Sequence, residues 1–136
     1  MACLISLNEA FLTYHPAPGL YRSGVRYGRT QIWDTIPALY TRRTPEIPYP
    51  HGDCKSLTAA LVAQYRLGID PNGVNNALLP NGRMPAKAVF RWQRKPIRGT
   101  EFHILVQTPY GFEDPSKRLG MGSDENTPWA SMTTGY

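Results

Sequence analysis

Three side chains, Cys54, His103 and Asp114, have the types and the order of a nucleophile, a base and an orienting acid. Cys54 follows Gly52-Asp53 and opens the stretch 54–67, where Leu57, Ala60, Leu61, Gln64 and Tyr65 recur at helical spacing. Asp53 is a strong N-cap residue, Gly52 frees the entering chain, and Gly68 supplies a C-terminal stop. A helix N-terminus presents unpaired N–H groups and partial positive charge. A thiolate is stabilised there, and the same N–H groups suit a developing oxyanion. The competing reading of Cys54 is a small, inert hydrophobe.

His103 lies in the apolar run Phe102-His103-Ile104-Leu105-Val106, which reads as part of a strand over 101–108. On a strand it projects from one face while Phe102 and Ile104 take the other. A histidine among such bulky neighbours can equally be structural. Asp114 follows 11 residues later, past the turn signal Pro109-Tyr110-Gly111. A hairpin there sets Asp114 about level with Leu105 or His103, within a residue or two. The three groups then fit one scheme: Cys54 attacks, His103 acts as base and then acid, and Asp114 orients His103.

The elements needed to position them predict an α+β fold. A central helix starts at Cys54 and packs on a small antiparallel sheet made of 86–93, 101–108 and 111–114, with irregular arms around it. A short helix is expected over Leu4–Leu12. Ile32, Trp33, Ile36, Leu39 and Tyr40 lie at helical spacing, but Pro37 would kink or shorten any helix there. Residues 44–50 form an extended, proline-rich approach, and 70–85 a loop rich in Pro, Asn and Gly. The expected organisation is an N-terminal arm over 1–44, a core over 45–118 and an extended polar tail over 119–136.

Composition sets outer bounds. With 136 residues, 41% apolar and 18% charged, the chain fits one globular domain and not a disordered one. Glycine and proline supply 25 residues, well above the usual ~12%, which excludes a long helical bundle. Two cysteines, Cys3 and Cys54, build neither a disulfide scaffold nor a four-cysteine zinc site. No apolar run is long enough for a membrane helix, and the N-terminus lacks the pattern of a signal peptide. The expectation is a reducing compartment with free thiols, Cys3 being incidental. His15, His51 and His103 include no short i, i+4 pair, so no metal is expected, and the triad chemistry calls for no cofactor.

Three stretches together resemble the core of the transglutaminase-like superfamily, a branch of the papain-like cysteine hydrolases. They are the run from His51-Gly52-Asp53-Cys54 to Leu67-Gly68-Ile69, then Phe102–Val106, then Gly111-Phe112-Glu113-Asp114-Pro115-Ser116. The resemblance covers roughly 45–118. It implies a Cys54-His103-Asp114 triad and acyl transfer from amides of a peptide or protein. It also implies an upstream aromatic or amide residue for the oxyanion, for which Trp33, Tyr40 and Tyr49 are candidates. Lys55-Ser56 stands where family members often carry a second acidic residue. More loosely, Glu113–Met121 is similar to small members encoded by tailed phages, which implies a place in a virion.

Two other classes remain open. Arg83, Lys87, Arg91, Arg94, Lys95 and Arg98 place six cations in 16 residues, with Phe90 and Trp92 between them. With a net charge of +5, that pattern suits a nucleic-acid-binding module, or simply a solvated strand face. Arg22, Arg26, Arg29, Arg42 and Arg43 extend the basic surface, and Arg outnumbers Lys 11 to 4, which favours interfaces. Long Pro/Gly-rich arms, with Trp129 and Tyr136 in the tail, suit a structural tail or connector protein that keeps the fold without turnover.

Overall fold

The computed structural model describes residues 1–30, 32–95 and 99–121, and for 92–95 and 99–102 the backbone alone. Arg98, Trp129 and Tyr136 lie outside the described residues, as does most of the expected tail. In chain order the elements are α1 (Ala2–Tyr14), a 3-10 turn (Leu20–Arg22), β1 (Arg26–Tyr27), α2 (Ile36–Thr41) and β2 (His51–Gly52). There follow α3 (Cys54–Leu67), β3 (Lys87–Lys95), β4 (Gly99–Thr108), β5 (Gly111–Glu113) and α4 (Pro115–Arg118). The fold is α+β, as expected. Among the described residues no helix is long and apolar enough to cross a membrane.

Helix α3 begins and ends where its capping residues place it. The Asp53 side chain accepts the Ser56 N–H at 3.2 Å. Gly68 takes the left-handed conformation, φ 75°, and the Ile69 N–H closes back onto Gln64 O at 2.8 Å. The ten residues Ser56 to Tyr65 are all buried. A helix covered on every side must be central. Helix α1 packs along it, contributing Leu4, Ile5 and Leu12, and the sheet covers it from elsewhere through Val106 of β4.

The polar residues inside this core tie the irregular segments down. Gln64 Oε1 accepts the Leu20 N–H at 3.1 Å. Asn8 Oδ1 accepts the Ile36 N–H at 2.8 Å, at the start of α2. Asn76, in the 70–85 loop, donates to Leu12 O at 2.8 Å and accepts the Ala17 N–H at 3.2 Å, closing the end of α1. Each bond satisfies a backbone group that helix ends and loops otherwise leave unpaired.

From the first 44 residues, Leu4, Ile5, Leu12, Leu20, Val25, Ile36 and Leu39 are buried in the same core as α3. Helix α2 is shorter than the 32–40 spacing suggests. It starts at Ile36, with Pro37 in its first turn, where a missing N–H costs nothing, while Ile32 and Trp33 precede it in a loop. Strands β3, β4 and β5 form an antiparallel sheet in that order. A second sheet, not anticipated, pairs β1 and β2 in parallel, Arg26 opposite His51 and Tyr27 opposite Gly52. Two-residue strands carry no periodicity from which to read them.

Gly19 shows how closely the chain segments approach. A Cβ there would sit 2.3 Å from Pro71 O, a backbone atom that cannot swing away. Gly19→Ala is expected to lower stability by roughly 1–3 kcal/mol, the usual cost of overpacking, measured as a lower urea midpoint.

Candidate functional site

The site assembles where β2 feeds α3. Gly52 has no room for a side chain, since a Cβ would lie 2.2 Å from Leu39 Cδ1. Asp53 caps the helix and its carboxylate also pairs with Lys55. Cys54 is the first residue of α3 and is half-buried. The thiol thus stands at the positive end of a 14-residue helix.

His103 comes from β4 and is almost fully buried. Its Nε2 meets Asp114 Oδ2 at 2.6 Å, and Cys54 is a neighbour that acts on the ring's affinity for its proton. Asp114 itself is doubly held. While Oδ2 faces His103, Oδ1 accepts the Ser116 and Lys117 N–H groups at 3.1 and 3.3 Å as the N-cap of α4. The register explains the meeting. Glu113 lies opposite Val106, so the next residue falls level with Leu105 and on the face that carries His103.

Burial pushes the His103 pKa down. Hydrogen bonds to Asp114 and Cys54, and the charges of both, act the other way and prevail, raising it to about 9. At neutral pH the ring is therefore an imidazolium between an acid and a thiol.

Tyr27 is a neighbour of Cys54 that no sequence pattern singles out. It lies opposite Gly52 on β1, and its N–H donates to Leu119 O at 2.9 Å, just past α4. Burial, then the Cys54 charge, raise its pKa, while a hydrogen bond from Arg29 opposes them. Asp34 is also new. It is buried and paired with Arg42, and its N–H donates to Ser56 Oγ at 3.2 Å. Ser56 in turn donates to Ile32 O at 3.3 Å, so the loop carrying Trp33 is tied to the first turn of α3.

The three candidates for receiving an oxyanion separate. Trp33 is exposed on that tied loop, with Lys55 Nζ 5.5 Å from its ring. Tyr49 is exposed just ahead of β2, edge-on to His51 at 6.5 Å. Tyr40 is turned inward from α2. Its hydroxyl donates to Pro18 O at 2.6 Å and accepts from Gln64 at 3.4 Å, well along α3 from Cys54.

His15 stacks on Phe11 at the end of α1, and buried His51 bonds Tyr49 O through Nδ1 at 2.9 Å. Cys3 is exposed on α1. Among the described residues, no cluster of three or more His, Cys, Asp or Glu side chains suits a metal ion.

Arg83 is exposed in the loop and Lys87 on β3, whereas Arg91 stands opposite His103 and rests on the Phe112 ring at 4.1 Å. Arg94 and Lys95 are placed on β3 by their backbone alone. An open cleft of about 510 Å³ borders Asp114, between Thr108, Phe112 and Arg118, but neither Cys54 nor His103 lines it.

The raised His103 pKa has a consequence for stability. The native ring keeps a proton that the unfolded chain releases near pH 6.5, so the contribution is complete below that pH and is lost as pH rises through about 9. Thermal unfolding between pH 6 and 9.5 is expected to show a falling midpoint across this window. Asp114→Asn should flatten that slope. The comparisons with known proteins return no match: no family model, no curated protein and no solved structure matches the chain.

Proposed function

We propose that this chain is a cysteine hydrolase or acyl transferase of the transglutaminase-like type, acting on amide bonds of a peptide or protein. The observation that carries the reading is the buried His103–Asp114 pair at 2.6 Å, with Cys54 at the N-terminus of α3 acting on the same ring.

In this reading Cys54 Sγ attacks the carbonyl carbon as a thiolate, its proton being the one already on His103. The C=O π bond opens, and negative charge gathers on oxygen, facing the first-turn amides of α3. His103, which holds its proton at neutral pH, gives it to the departing amine as the C–N bond breaks. The product is a thioester on Cys54. Water or an amine then attacks, His103 takes its proton, and the thioester C–S bond breaks to restore the thiolate beside the imidazolium. Asp114 keeps the ring aimed and balances its charge. Trp33 from its loop and Tyr27 from β1 are the side chains that could add a donor to the oxyanion.

Iodoacetamide tests the nucleophile without knowledge of the substrate. At pH 7, Cys54 is expected to be alkylated at least about tenfold faster than exposed Cys3, and His103→Ala should remove that advantage. A Cys54 slower than Cys3 would sink the enzyme reading. With p-nitrophenyl acetate as acyl donor, a burst of one equivalent of nitrophenol is expected. Cys54→Ser should abolish it, and Asp114→Asn should slow it by about 10²–10⁴.

A structural virion protein is the second reading, favoured by large apolar side chains left on the surface, including Leu7, Tyr14, Leu78 and Tyr110. In that case the isolated chain should self-associate or bind assembly partners and give no ester burst.

A further inference from the structure

The carboxylate next to Asp114 points the other way and is held more firmly than an ordinary strand-end residue. Glu113 is the last paired residue of β5, opposite Val106, whose side chain enters the core under α3. Successive strand residues face opposite sides. Glu113 therefore turns toward α3 while Asp114 turns toward His103. Tyr65 of α3 donates its hydroxyl to Glu113 Oε1 at 2.6 Å, and Tyr21 of the 3-10 turn donates to Oε2. Both carboxylate oxygens are thus engaged by rigid phenols from two separate elements.

The segment just past Asp114 is fastened to the same tyrosine. The Arg118 guanidinium lies 3.9 Å from the centre of the Tyr21 ring and also donates to Asn72 Oδ1 at 2.9 Å. Burial, with the charge of Glu113, holds both phenols above the ordinary tyrosine range, so both remain donors wherever the site would work. The arrangement answers a mechanical need. Strand β5 has only three residues, is paired among the described residues with β4 alone, and ends where Asp114 must be held to within tenths of an ångström. Nothing in its three ladder pairs prevents that end from fraying.

We propose that Glu113, gripped by Tyr21 and Tyr65, is a positioning residue that holds Asp114 against His103. The inference rests on the cysteine-triad reading above. Glu113 acts through the backbone of β5: anchoring the carboxylate on the α3 side sets where the next residue's carboxylate lies on the opposite side. Asp114 is held on its other side through Oδ1, which accepts from α4, and the grip on Glu113 adds an anchor from the α3 side.

The test is made on the full chain with Glu113→Gln and Tyr65→Phe. The first replaces one of the two acceptor oxygens by an NH2 group, which cannot accept from a phenol; the second removes one donor and leaves the ring. NMR titration of the His103 ring follows the Asp114 contact directly, and the iodoacetamide rate at Cys54 follows its effect on the nucleophile. Both variants are expected to lower the His103 midpoint by about one pH unit and to slow Cys54 alkylation about tenfold, with Cys3 unaffected.

A folded variant with an unchanged His103 titration overturns the proposal, since loss of overall stability alone does not move the midpoint of a folded molecule. If Glu113→Gln does not fold, Tyr65→Phe decides. If wild-type Cys54 is unreactive, the enzyme reading fails, and the His103 titration still reports on the grip of Glu113 on Asp114.

Discussion

Burial of the ten central residues of α3, Ser56 to Tyr65, is the constraint from which the rest of the structure follows. A helix with ten consecutive buried residues leaves no face for solvent, so every other element has to cover it. That requirement brings α1, the 3-10 turn, α2 and the sheet onto one helix, and draws Leu4, Leu12, Leu20 and Leu39 from the N-terminal segments into one core. It also concentrates polar chemistry at the ends of α3, where backbone groups still need partners. Cys54 lies at the N-terminal end, within reach of His103 on β4.

The site is organised by backbone connections as much as by its three side chains. Parallel pairing of β1 with β2 sets Tyr27 beside the approach to Cys54. Asp114 is at once the partner of His103 and the cap of α4, and the end of α4 returns to β1 through Leu119. Thiol, imidazole and carboxylate thus lie on a closed circuit of elements. Movement at β5 would be felt at Asp114, and the bonds of Glu113 to Tyr21 and Tyr65 resist it.

Charge follows the same geometry. Buried carboxylates here have partners: Asp34 has Arg42, Asp53 has Lys55, and Asp114 has His103. Each pairing offsets the desolvation of a charge that would otherwise be costly. For His103 it does more, since attraction to its neighbours outweighs burial and keeps a proton where an acyl-transfer step would need one.

What the sequence by itself determined is local. Helix 54–67 was legible to its ends because N-cap, periodicity and C-terminal glycine are written within 16 residues. The β4–β5 hairpin was legible from its turn, and with it the approach of Asp114 to His103, only 11 residues apart. Tertiary structure decided whatever depends on distant contacts. Tyr21 and Tyr65 meet Glu113 across 92 and 48 residues, and Tyr27 reaches Cys54 through two-residue strands. No periodicity or capping signal spans such separations. Tyr40, an aromatic upstream of the cysteine like Trp33, is distinguished from it only by the direction that packing gives its hydroxyl. Side-chain types name the groups available for chemistry, and the closing of long loops around α3 selects which of them meet.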